Sequence, residues 1–371
     1  MSTLDDIIPL NAPARLEPPW FPGDPAPWFF LRSDVNEKFS LSSMGGRTIL
    51  ITFLESLSNA EDAAVRDGLL ECVPRLIPYA NAMLIVTADA ADPAVRMPEG
   101  ATGARYLFDP ERKAATLYGA LAGGKIRPTS FVVDARLRFK AVMPVRNPAT
   151  HARDAFEVFA RQHAQAPAQR AVHAPTLTIP DVFEPELCRR LIDGHSAHGG
   201  IDSGFMVERN GKTVKKRDPS HKIRRDWFMN DAELIDACRE RIRRRIVPEI
   251  RRAFQFEATR IERYLVACYD SDEKGHFAAH RDNTTKGTAH RRFAVSLNLN
   301  DDYVGGNLVF PEFGQHRFRP PPGGACVFSC SLMHLATPVT DGKRYVFVPF
   351  LHDDAGECVR QANQEYLSLD D

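Results

Sequence analysis

The sequence lacks the features that commit a chain to a membrane or to secretion. Its 371 residues contain no apolar run of about 18, the minimum for a helix that crosses a bilayer. Its N-terminal segment has no basic stretch followed by an apolar one, which is the pattern of a secretory signal. We therefore predict a soluble protein.

Cysteine is scarce, and neither sign of charge is in excess. The seven cysteines are odd in number and irregularly spaced, unlike those of a disulfide framework. The 48 basic and 48 acidic side chains cancel, which disfavours a dedicated nucleic-acid-binding protein. Together with the missing signal, these properties predict a reducing, cytoplasmic location.

A change in composition divides the chain into two domains. Residues 164–176 are rich in Ala, Gln and Pro and have no apolar periodicity, which indicates a linker. The flanking segments, residues 20–163 and 177–355, are each long enough to bury a core of their own.

In the first domain, strand patterns alternate with helical ones. Arg47–Phe53 and Ala82–Ala88 are continuously apolar, as expected of strands that are covered on both faces. Thr129–Asp134 predicts a further strand, and residues 60–77 and 149–163 carry apolar side chains at helical spacing. This order predicts a compact α/β domain with a mixed sheet.

The second domain begins with helices and continues with strands. Pro185–Asp193 predicts a helix with Gly194 as its C-cap, and residues 231–246 predict a second helix. Residues 204–227 are polar and basic and predict a long loop. From Ile261 onward short alternating strands dominate, so we predict helices packed on a β-sandwich or barrel.

Three residues in this second domain predict a metal site. His280 and Asp282 are two apart, so they share one face of a strand, and His334 can complete the set from a distant strand. Two imidazoles and one carboxylate form the facial triad of non-haem Fe(II) oxygenases, which leaves coordination positions open. Zinc and a metal-free cupin-like shell are the alternatives.

Arg344 follows the triad at the start of the predicted strand RYVFVPF. A guanidinium binds a carboxylate in a bidentate manner, and burying it beside a metal is costly unless an anion meets it. The 5-carboxylate of 2-oxoglutarate is the partner that we expect.

These residues and the segments around them resemble the prolyl 4-hydroxylase-like branch of the 2-oxoglutarate/Fe(II)-dependent dioxygenases. The resemblance runs from Ile179 to His352, about half of the chain, and its segments are IPDVFEPELCRRLID, then Tyr269 ahead of GHFAAHRD, VSLNLNDDYVGGNLVFPEF, PPPGGACVFS and HLATPVTDGKRYVFVPFL. It implies a double-stranded β-helix (jelly roll) fold with flanking helices.

The resemblance also assigns roles to particular residues. His280, Asp282 and His334 match the iron ligands, and Arg344 matches the basic 2-oxoglutarate anchor, where many members carry Lys. Tyr269 matches a tyrosine that hydrogen-bonds the co-substrate. The activity implied is hydroxylation of an unactivated C–H bond with release of succinate and CO2, and it uses Fe(II), 2-oxoglutarate, O2 and ascorbate.

The substrate stays open at this point. The resemblance suggests a prolyl residue of a peptide or protein, but a small amino acid or another protein side chain also fits the motif. One rival hypothesis is an interaction protein whose oxygenase shell senses iron or oxygen.

The first domain is similar to peroxiredoxins, which have a thioredoxin-like fold. GDPAPWF, at residues 23–29, and RPTSFVVD, at residues 127–134, carry this resemblance together with the order of elements. The stretch LESLSNAEDAAV, which follows ILITF, lacks the peroxidatic cysteine, and Cys72 lies about three turns further along. We predict a degenerate, non-catalytic domain that docks a partner, pairs with itself or supports the oxygenase; a thiol or peroxide-handling redox protein is the alternative.

One basic segment has several possible partners. Residues 209–252 hold 15 Lys or Arg against 7 Asp or Glu. Such an excess can attract an acidic protein, a nucleic acid or 2-oxoglutarate, but a solvated helix face explains it more simply. Because the corresponding region can cover the substrate in the resembled fold, residues 204–227 are also a candidate mobile lid.

Overall fold

The computed structural model describes residues 17–76, 82–92, 96–165, 173–209 and 211–368. The chain divides into two compact units, residues 1–169 and 170–371. Helix α3 of the first unit ends at Gln165 and strand β10 of the second begins at Thr176, while residues 166–172 of the predicted linker lie outside the described residues.

The first unit contains nine strands and three α-helices within its described residues. These are β1 (Phe30–Ser33), β2 (Phe39–Ser40), β3 (Ile49–Leu54), α1 (Ala60–Cys72), β4 (Ala82–Thr87), β5 (Ala104–Phe108), α2 (Lys113–Leu117), β6 (Leu121–Ala122), β7 (Lys125–Ile126), β8 (Thr129–Val133), β9 (Phe139–Pro144) and α3 (Pro148–Gln165).

A mixed seven-stranded sheet forms the centre of this unit, in the order β2-β1-β5-β4-β3-β8-β9. Strands β3, β4 and β5 run parallel, whereas β8 is antiparallel to β3, so the mixed sheet predicted from the sequence is confirmed. All six residues of β3 are buried. Ile51 and Phe53 enter one apolar cluster and Leu50 and Leu54 the other, because successive side chains point to opposite faces.

The second unit contains 18 strands and four α-helices within its described residues. These are β10 (Thr176–Ile179), α4 (Pro185–His198), β11 (Ile201–Asp202), β12 (Phe205–Arg209), β13 (Lys212–Lys216), β14 (Lys222–Ile223), β15 (Arg225–Phe228), α5 (Ala232–Arg245), α6 (Val247–Phe254), β16 (Arg260–Ile261), β17 (Leu265–Asp270), β18 (His276–His280), β19 (Phe293–Asn298), β20 (Tyr303–Gly305), β21 (Leu308–Val309), β22 (Arg317–Phe318), β23 (Ala325–Ser329), β24 (His334–Ala336), β25 (Val339–Phe347), β26 (Phe350–His352), α7 (Asp354–Ala362) and β27 (Leu367–Ser368).

Two sheets of this unit pack face to face. The larger, ten-stranded sheet has the main order β10-β23-β19-β25-β17-β15-β11, and the smaller one has the order β14-β18-β24-β21-β22. Buried residues of both sheets share an apolar cluster, in which Leu265 and Ala267 of β17 meet Ala336 of β24. The outer face of the larger sheet packs on helices α4, α5 and α6.

The alternation of β19 and β25 decides which side chains enter the space between the sheets. Val295 and Leu297 belong to the cluster under the helices. Their neighbours Ser296 and Asn298 therefore point into the interior, where they meet Arg344 of β25. The strand pattern thus places polar groups inside the sandwich.

The end predicted for the first helix of this unit is wrong. Helix α4 continues past Gly194 to His198, and its C-cap is Gly199, which has a positive φ of 82°. A Cβ atom on Gly194 would lie 2.4 Å from the Trp227 ring, so this glycine serves close packing against β15 and not helix termination.

The loop predicted at residues 204–227 is also wrong. Strands β12 and β13 form an antiparallel hairpin there, and β13 pairs in parallel with β27 near the C-terminal end. Strand β14 then joins the smaller sheet and β15 joins the larger one. In the described residues, no helix has the length and apolar character needed to cross a membrane.

Candidate metal centre

The three residues predicted as metal ligands lie together between the two sheets. Asp282 Oδ1 is 3.5 Å from His280 Nε2, and Asp282 Oδ2 is 3.4 Å from His334 Nε2. Strands β18 and β24 are antiparallel neighbours in which His280 and His334 are directly paired. One potential ligand atom from each residue lies within 4.8 Å of the others. A single ion can therefore bind all three.

Both histidines have one ring nitrogen occupied by the backbone. The Nδ1 atom of His280 lies 2.8 Å from the Ala278 carbonyl oxygen, and that of His334 lies 3.0 Å from the Leu332 carbonyl oxygen. Because a carbonyl oxygen only accepts, Nδ1 carries the proton and donates in both rings. Each Nε2 atom is therefore left with a lone pair that points toward Asp282 and is available to a metal.

The charges of these groups also suit a cation. Burial alone would raise the pKa of Asp282, but the His334 and His280 rings in their protonated form at low pH, together with the Arg291 guanidinium, outweigh it, and the pKa lies below its usual value. Burial and His280 lower the pKa of His334 to about 4. Near neutral pH the carboxyl group is therefore ionised and His334 is neutral, as metal ligands must be.

The donor set fits ferrous iron. Two imidazole nitrogens and one carboxylate oxygen on one side of an ion leave further positions free, which is the arrangement of non-haem Fe(II) oxygenases. Catalytic zinc sites accept the same donors, so the ligands alone do not select iron.

Arg281 links the two strands that carry the ligands. Its guanidinium donates to both carboxylate oxygens of Glu312, at 2.7 and 3.1 Å, and also to the Ser331 carbonyl oxygen. Glu312 accepts a further hydrogen bond of 3.0 Å from the amide of Met333, the residue before His334. This buried ion pair connects the backbone of both ligand-bearing segments.

A second, partly buried ion pair supports Asp282. Arg291 donates to both carboxylate oxygens of Glu262 at 2.6 Å and, at 3.2 Å, to the backbone oxygen of Asp282. The amide of Asp282 donates to the backbone oxygen of Cys330 at 3.0 Å. The Cys330 thiol is fully buried, and burial raises its pKa well above the usual value.

Arg344 lies in the same interior and is 3% exposed. Its guanidinium donates to Ser296 Oγ at 2.9 Å and to Asn298 Oδ1 at 3.0 and 3.3 Å, and these acceptors are neutral. It also lies 5.4 Å from the centre of the Tyr269 ring. A buried guanidinium with neutral acceptors is suited to receive an anion.

Tyr269 is buried beside Arg344, since the two residues are directly paired across β17 and β25. The Tyr269 hydroxyl lies 3.5 Å from Nη1 of Arg224. The structure therefore brings the predicted anchor and the predicted co-substrate tyrosine together.

Three charged residues in this interior are not predicted from the sequence. Lys222, Arg224 and Asp226 are buried, and Arg225 between them is exposed. Arg224 donates to both carboxylate oxygens of Asp226 at 2.6 Å. Their spacing of two residues is the signal that could have found them, because it indicates one face of a strand in a segment that we predicted to be a loop.

The first unit has no cysteine in the loop before α1. Cys72 is the last residue of α1 and is buried, and burial raises its pKa. A reactive thiolate requires the opposite conditions. The loop is instead held by carboxylates: Asp62 accepts from the amides of Glu55 and Ser56, and Asp92 from that of Leu57.

Comparison with known proteins agrees with the site. Residues 264–352 match the family model of the 2OG-Fe(II) oxygenase superfamily. A PKHD-type hydroxylase of Nitrosomonas europaea is 31% identical over 150 residues, which are 37% of this chain. The matched region spans 62% of that relative's length.

Solved structures similar to each half of the chain are known. A prolyl hydroxylase from Trichoplax adhaerens, in complex with a hypoxia inducible factor peptide, matches 50% of this chain and 86% of its own, with 15% identity and a TM-score of 0.40. The bacterioferritin comigratory protein of Xanthomonas campestris, whose alkyl peroxide reduction was studied, matches 36% of this chain and 92% of its own, with 12% identity and a TM-score of 0.33.

Proposed function

We propose that the second unit is an Fe(II)- and 2-oxoglutarate-dependent dioxygenase that hydroxylates an unactivated C–H bond. One observation carries the proposal: His280, Asp282 and His334 converge in the interior that also holds the buried Arg344. The match of residues 264–352 to the oxygenase family model supports it.

The proposal includes the finer description of both domains. In it, residues 177–355 form a double-stranded β-helix, and the two face-to-face sheets support this assignment. Residues 20–163 form a thioredoxin-like domain without a peroxidatic cysteine, which is supported by the mixed central sheet and the position of Cys72.

In this proposal His280, Asp282 and His334 hold the ferrous ion, which when bound supplies O2 activation coupled to the conversion of 2-oxoglutarate into succinate and CO2. Arg344 binds the 5-carboxylate of the co-substrate through a bidentate, charge-assisted pair. Tyr269 orients the same molecule through its hydroxyl group.

Aromatic side chains keep the centre dry. The Phe277 ring stacks on the His280 ring with centres 3.5 Å apart, and the Phe328 ring centre is 4.6 Å from that of His334. Excluding water strengthens electrostatic interactions within the site and protects reactive species from side reactions.

The substrate that we propose is a prolyl residue of a peptide or protein, and ascorbate is the proposed accessory reductant. The similarity to a PKHD-type hydroxylase supports the reaction type. A cytoplasmic location and a docking or self-association role for the first unit complete the proposal.

The test is formation of succinate by the iron-loaded chain with 2-oxoglutarate and O2, against a panel of prolyl peptides and free amino acids. Mass spectrometry should detect a gain of one oxygen atom in one member of the panel. Asp282→Ala should abolish both signals. Absence of succinate in the iron-loaded wild-type protein would contradict the proposal, whereas succinate without any hydroxylated product would favour a sensing role.

A further inference from the structure

The hairpin and the two short strands that follow it carry a strong excess of positive charge. Residues 205–225, which we call the basic edge, contain eight Lys or Arg and two acidic residues, Glu208 and Asp218. Arg209, Lys215 and Lys216 are exposed on the hairpin. Part of this charge is balanced, since Lys216 pairs with Asp218, Arg224 with Asp226 and Arg225 with Glu273. Most of the basic edge nevertheless faces solvent with net positive charge.

The basic edge lies beside the metal centre. The Phe205 ring centre is 4.2 Å from that of His221, and the His221 ring centre is 6.4 Å from that of His280. Lys222 is the direct cross-strand partner of Phe277, whose ring stacks on His280. A molecule bound along this edge is therefore within reach of the proposed iron site.

Hydrogen bonds connect the hairpin to the segments around the metal ligands. The hydroxyl of Thr213 accepts a hydrogen bond of 3.0 Å from the amide of Gly287, which follows the Asp282 segment. Lys212 donates at 2.5 Å to the backbone oxygen of Glu365, close to the point where β27 pairs with β13. These contacts position the hairpin next to the segment that follows Asp282.

Lys222, one of the two buried cations of the edge, lacks a carboxylate within hydrogen-bonding distance. The Lys222 ammonium donates to Ser203 Oγ at 2.6 Å and to the Gly204 carbonyl oxygen at 2.5 Å, both of which are neutral. The nearest carboxylate oxygen in an ion pair, Oδ2 of Asp226, is 4.0 Å away and is already bonded by Arg224. Because burial disfavours a charged amine, the pKa of Lys222 is lowered, and an incoming anion would restore its charge.

We propose that the substrate of this enzyme is an acidic polypeptide segment, bound along the basic edge with one carboxylate directed to Lys222. The inference rests on the proposed function and names the substrate class for the same site. The exposed cations attract the segment and set its direction, while the buried Lys222 distinguishes a carboxylate from its amide.

An acidic polypeptide fits the edge better than a nucleic acid does. Single-stranded nucleic acids are bound by exposed aromatic side chains that alternate with cations. The exposed large apolar residues of the second unit's described part are Ile201, Phe228, Phe254 and Val304, and all of them lie outside the hairpin. A narrow interior position such as that of Lys222 also suits a carboxylate more than a phosphodiester chain.

Binding should be measured by fluorescence polarisation on the full-length, iron-loaded chain with 2-oxoglutarate under anaerobic conditions. The probes are a labelled peptide of alternating Glu and Pro, the same peptide with Gln in place of Glu, and an oligouridylate. We expect the Glu peptide to bind at least about tenfold more tightly than the Gln peptide, and this preference should shrink as salt is added.

A charge-matched pair of variants isolates the basic edge. Lys215→Glu with Lys216→Glu should weaken binding of the Glu peptide about tenfold. Arg243→Glu with Arg244→Glu changes the net charge equally on exposed positions of α5 and should leave binding within about twofold. Equal weakening by both pairs would overturn the inference, because it would reveal a general charge effect.

Lys222→Met tests the interior position, since methionine has an unbranched stem of similar shape and no charge. It should remove the part of the preference for Glu over Gln that persists at high salt, while the salt-dependent part from the exposed cations and the binding of iron are retained. Equal affinity of the wild-type protein for both peptides would contradict the inference. Tighter binding of the oligouridylate that is lost in Lys215→Glu with Lys216→Glu would do the same.

The outcomes separate this inference from the proposed function. Succinate formation without a preference for the Glu peptide would refute the substrate class and leave the dioxygenase intact. Failure to bind iron or to form succinate would refute the dioxygenase, and the substrate class would fail with it.

Discussion

At the residue scale, the metal centre is organised before an ion arrives. His280 and His334 each donate from Nδ1 to a carbonyl oxygen two residues earlier, so the ring orientation and the tautomer are fixed by local backbone. Folding already orients the two histidine rings. Little of the free energy of metal binding is therefore spent on rearranging these side chains.

Removal of one imidazole should weaken iron binding by more than about a hundredfold, because two ligands remain and one coordination bond is lost. The variants are His280→Ala and His334→Ala, and the measurement is iron bound per chain after equilibration against a competing chelator. His316→Ala is the control, since His316 is exposed and lies outside the triad. Iron binding by both triad variants at the wild-type level would contradict the assignment.

Substitution of the buried guanidinium should act on the co-substrate and leave metal binding intact. Arg344→Met removes the buried cation that donates to Ser296 and Asn298, so the apparent KM for 2-oxoglutarate should rise at least about thirtyfold. Arg344→Lys should recover part of the loss. The control is Lys343→Met. The neighbouring Lys343 is exposed and forms an ion pair with Asp270, so its loss should leave the KM for 2-oxoglutarate unchanged.

At the scale of elements, the geometry of the site depends on how β18 and β24 are joined. The Arg281–Glu312 ion pair spans the backbone at Ser331 and at Met333, and both partners are buried. It therefore positions His334 relative to Asp282 without contacting the ion itself.

Glu312→Gln and Arg281→Met should each lower iron affinity about 10- to 100-fold, because a partner of the ligand-bearing segment is removed. Iron affinity is measured by chelator competition, and thermal unfolding of the metal-free protein is recorded in parallel. The control variant is Glu186→Gln, which removes the exposed ion pair between Glu186 and Arg189 on α4. Similar iron affinity in all of these variants would show that the buried pair has no positioning role.

In the first unit, the loop before α1 depends on Asp62. Asp62→Ala leaves the amides of Glu55 and Ser56 without their acceptor, which should cost about 2 kcal/mol locally and speed their hydrogen exchange roughly thirtyfold. Asp67→Ala, on an exposed part of the same helix, is the control. Unchanged exchange in Asp62→Ala would mean that other contacts hold the loop.

The local spacing of residues predicts most of the candidate site. It predicts less of the secondary structure around that site. The spacing of His280 and Asp282 and the apolar run of β3 are visible in sequence, because each follows from the alternation of a strand. Gly194 was misassigned because its role is contact with Trp227, which is distant in sequence. The segment 204–227 was taken for a loop because its strands pair with β17, β18 and β27, and such partners leave no local apolar pattern.

At the scale of the whole molecule, the residues of the proposed site all lie in one of the two units. The chain divides into residues 1–169 and 170–371, and the triad and Arg344 belong to the second. The first unit is built on a seven-stranded sheet, and carboxylates hold its loop before α1, which contains no cysteine.

The full-length chain should show no thiol-dependent peroxide consumption. The reason is that Cys72 is buried at the end of α1 with a raised pKa, where it forms little thiolate. The assay follows peroxide in the presence of a thiol reductant and a chelator, which removes iron chemistry. Turnover that disappears in Cys72→Ser would contradict this prediction and restore the redox alternative.

A cysteine beside an oxygen-activating centre is susceptible to oxidation. The buried position of Cys330, next to the proposed centre, limits this susceptibility. Its carbonyl oxygen holds the amide of Asp282, so its side chain belongs to the immediate surroundings of the triad. The raised pKa keeps that sulfur protonated, and a thiol is both a weak ligand and a slow target for oxidation. In the dioxygenase that we propose, the burial of this cysteine would protect it from oxidation during repeated turnover.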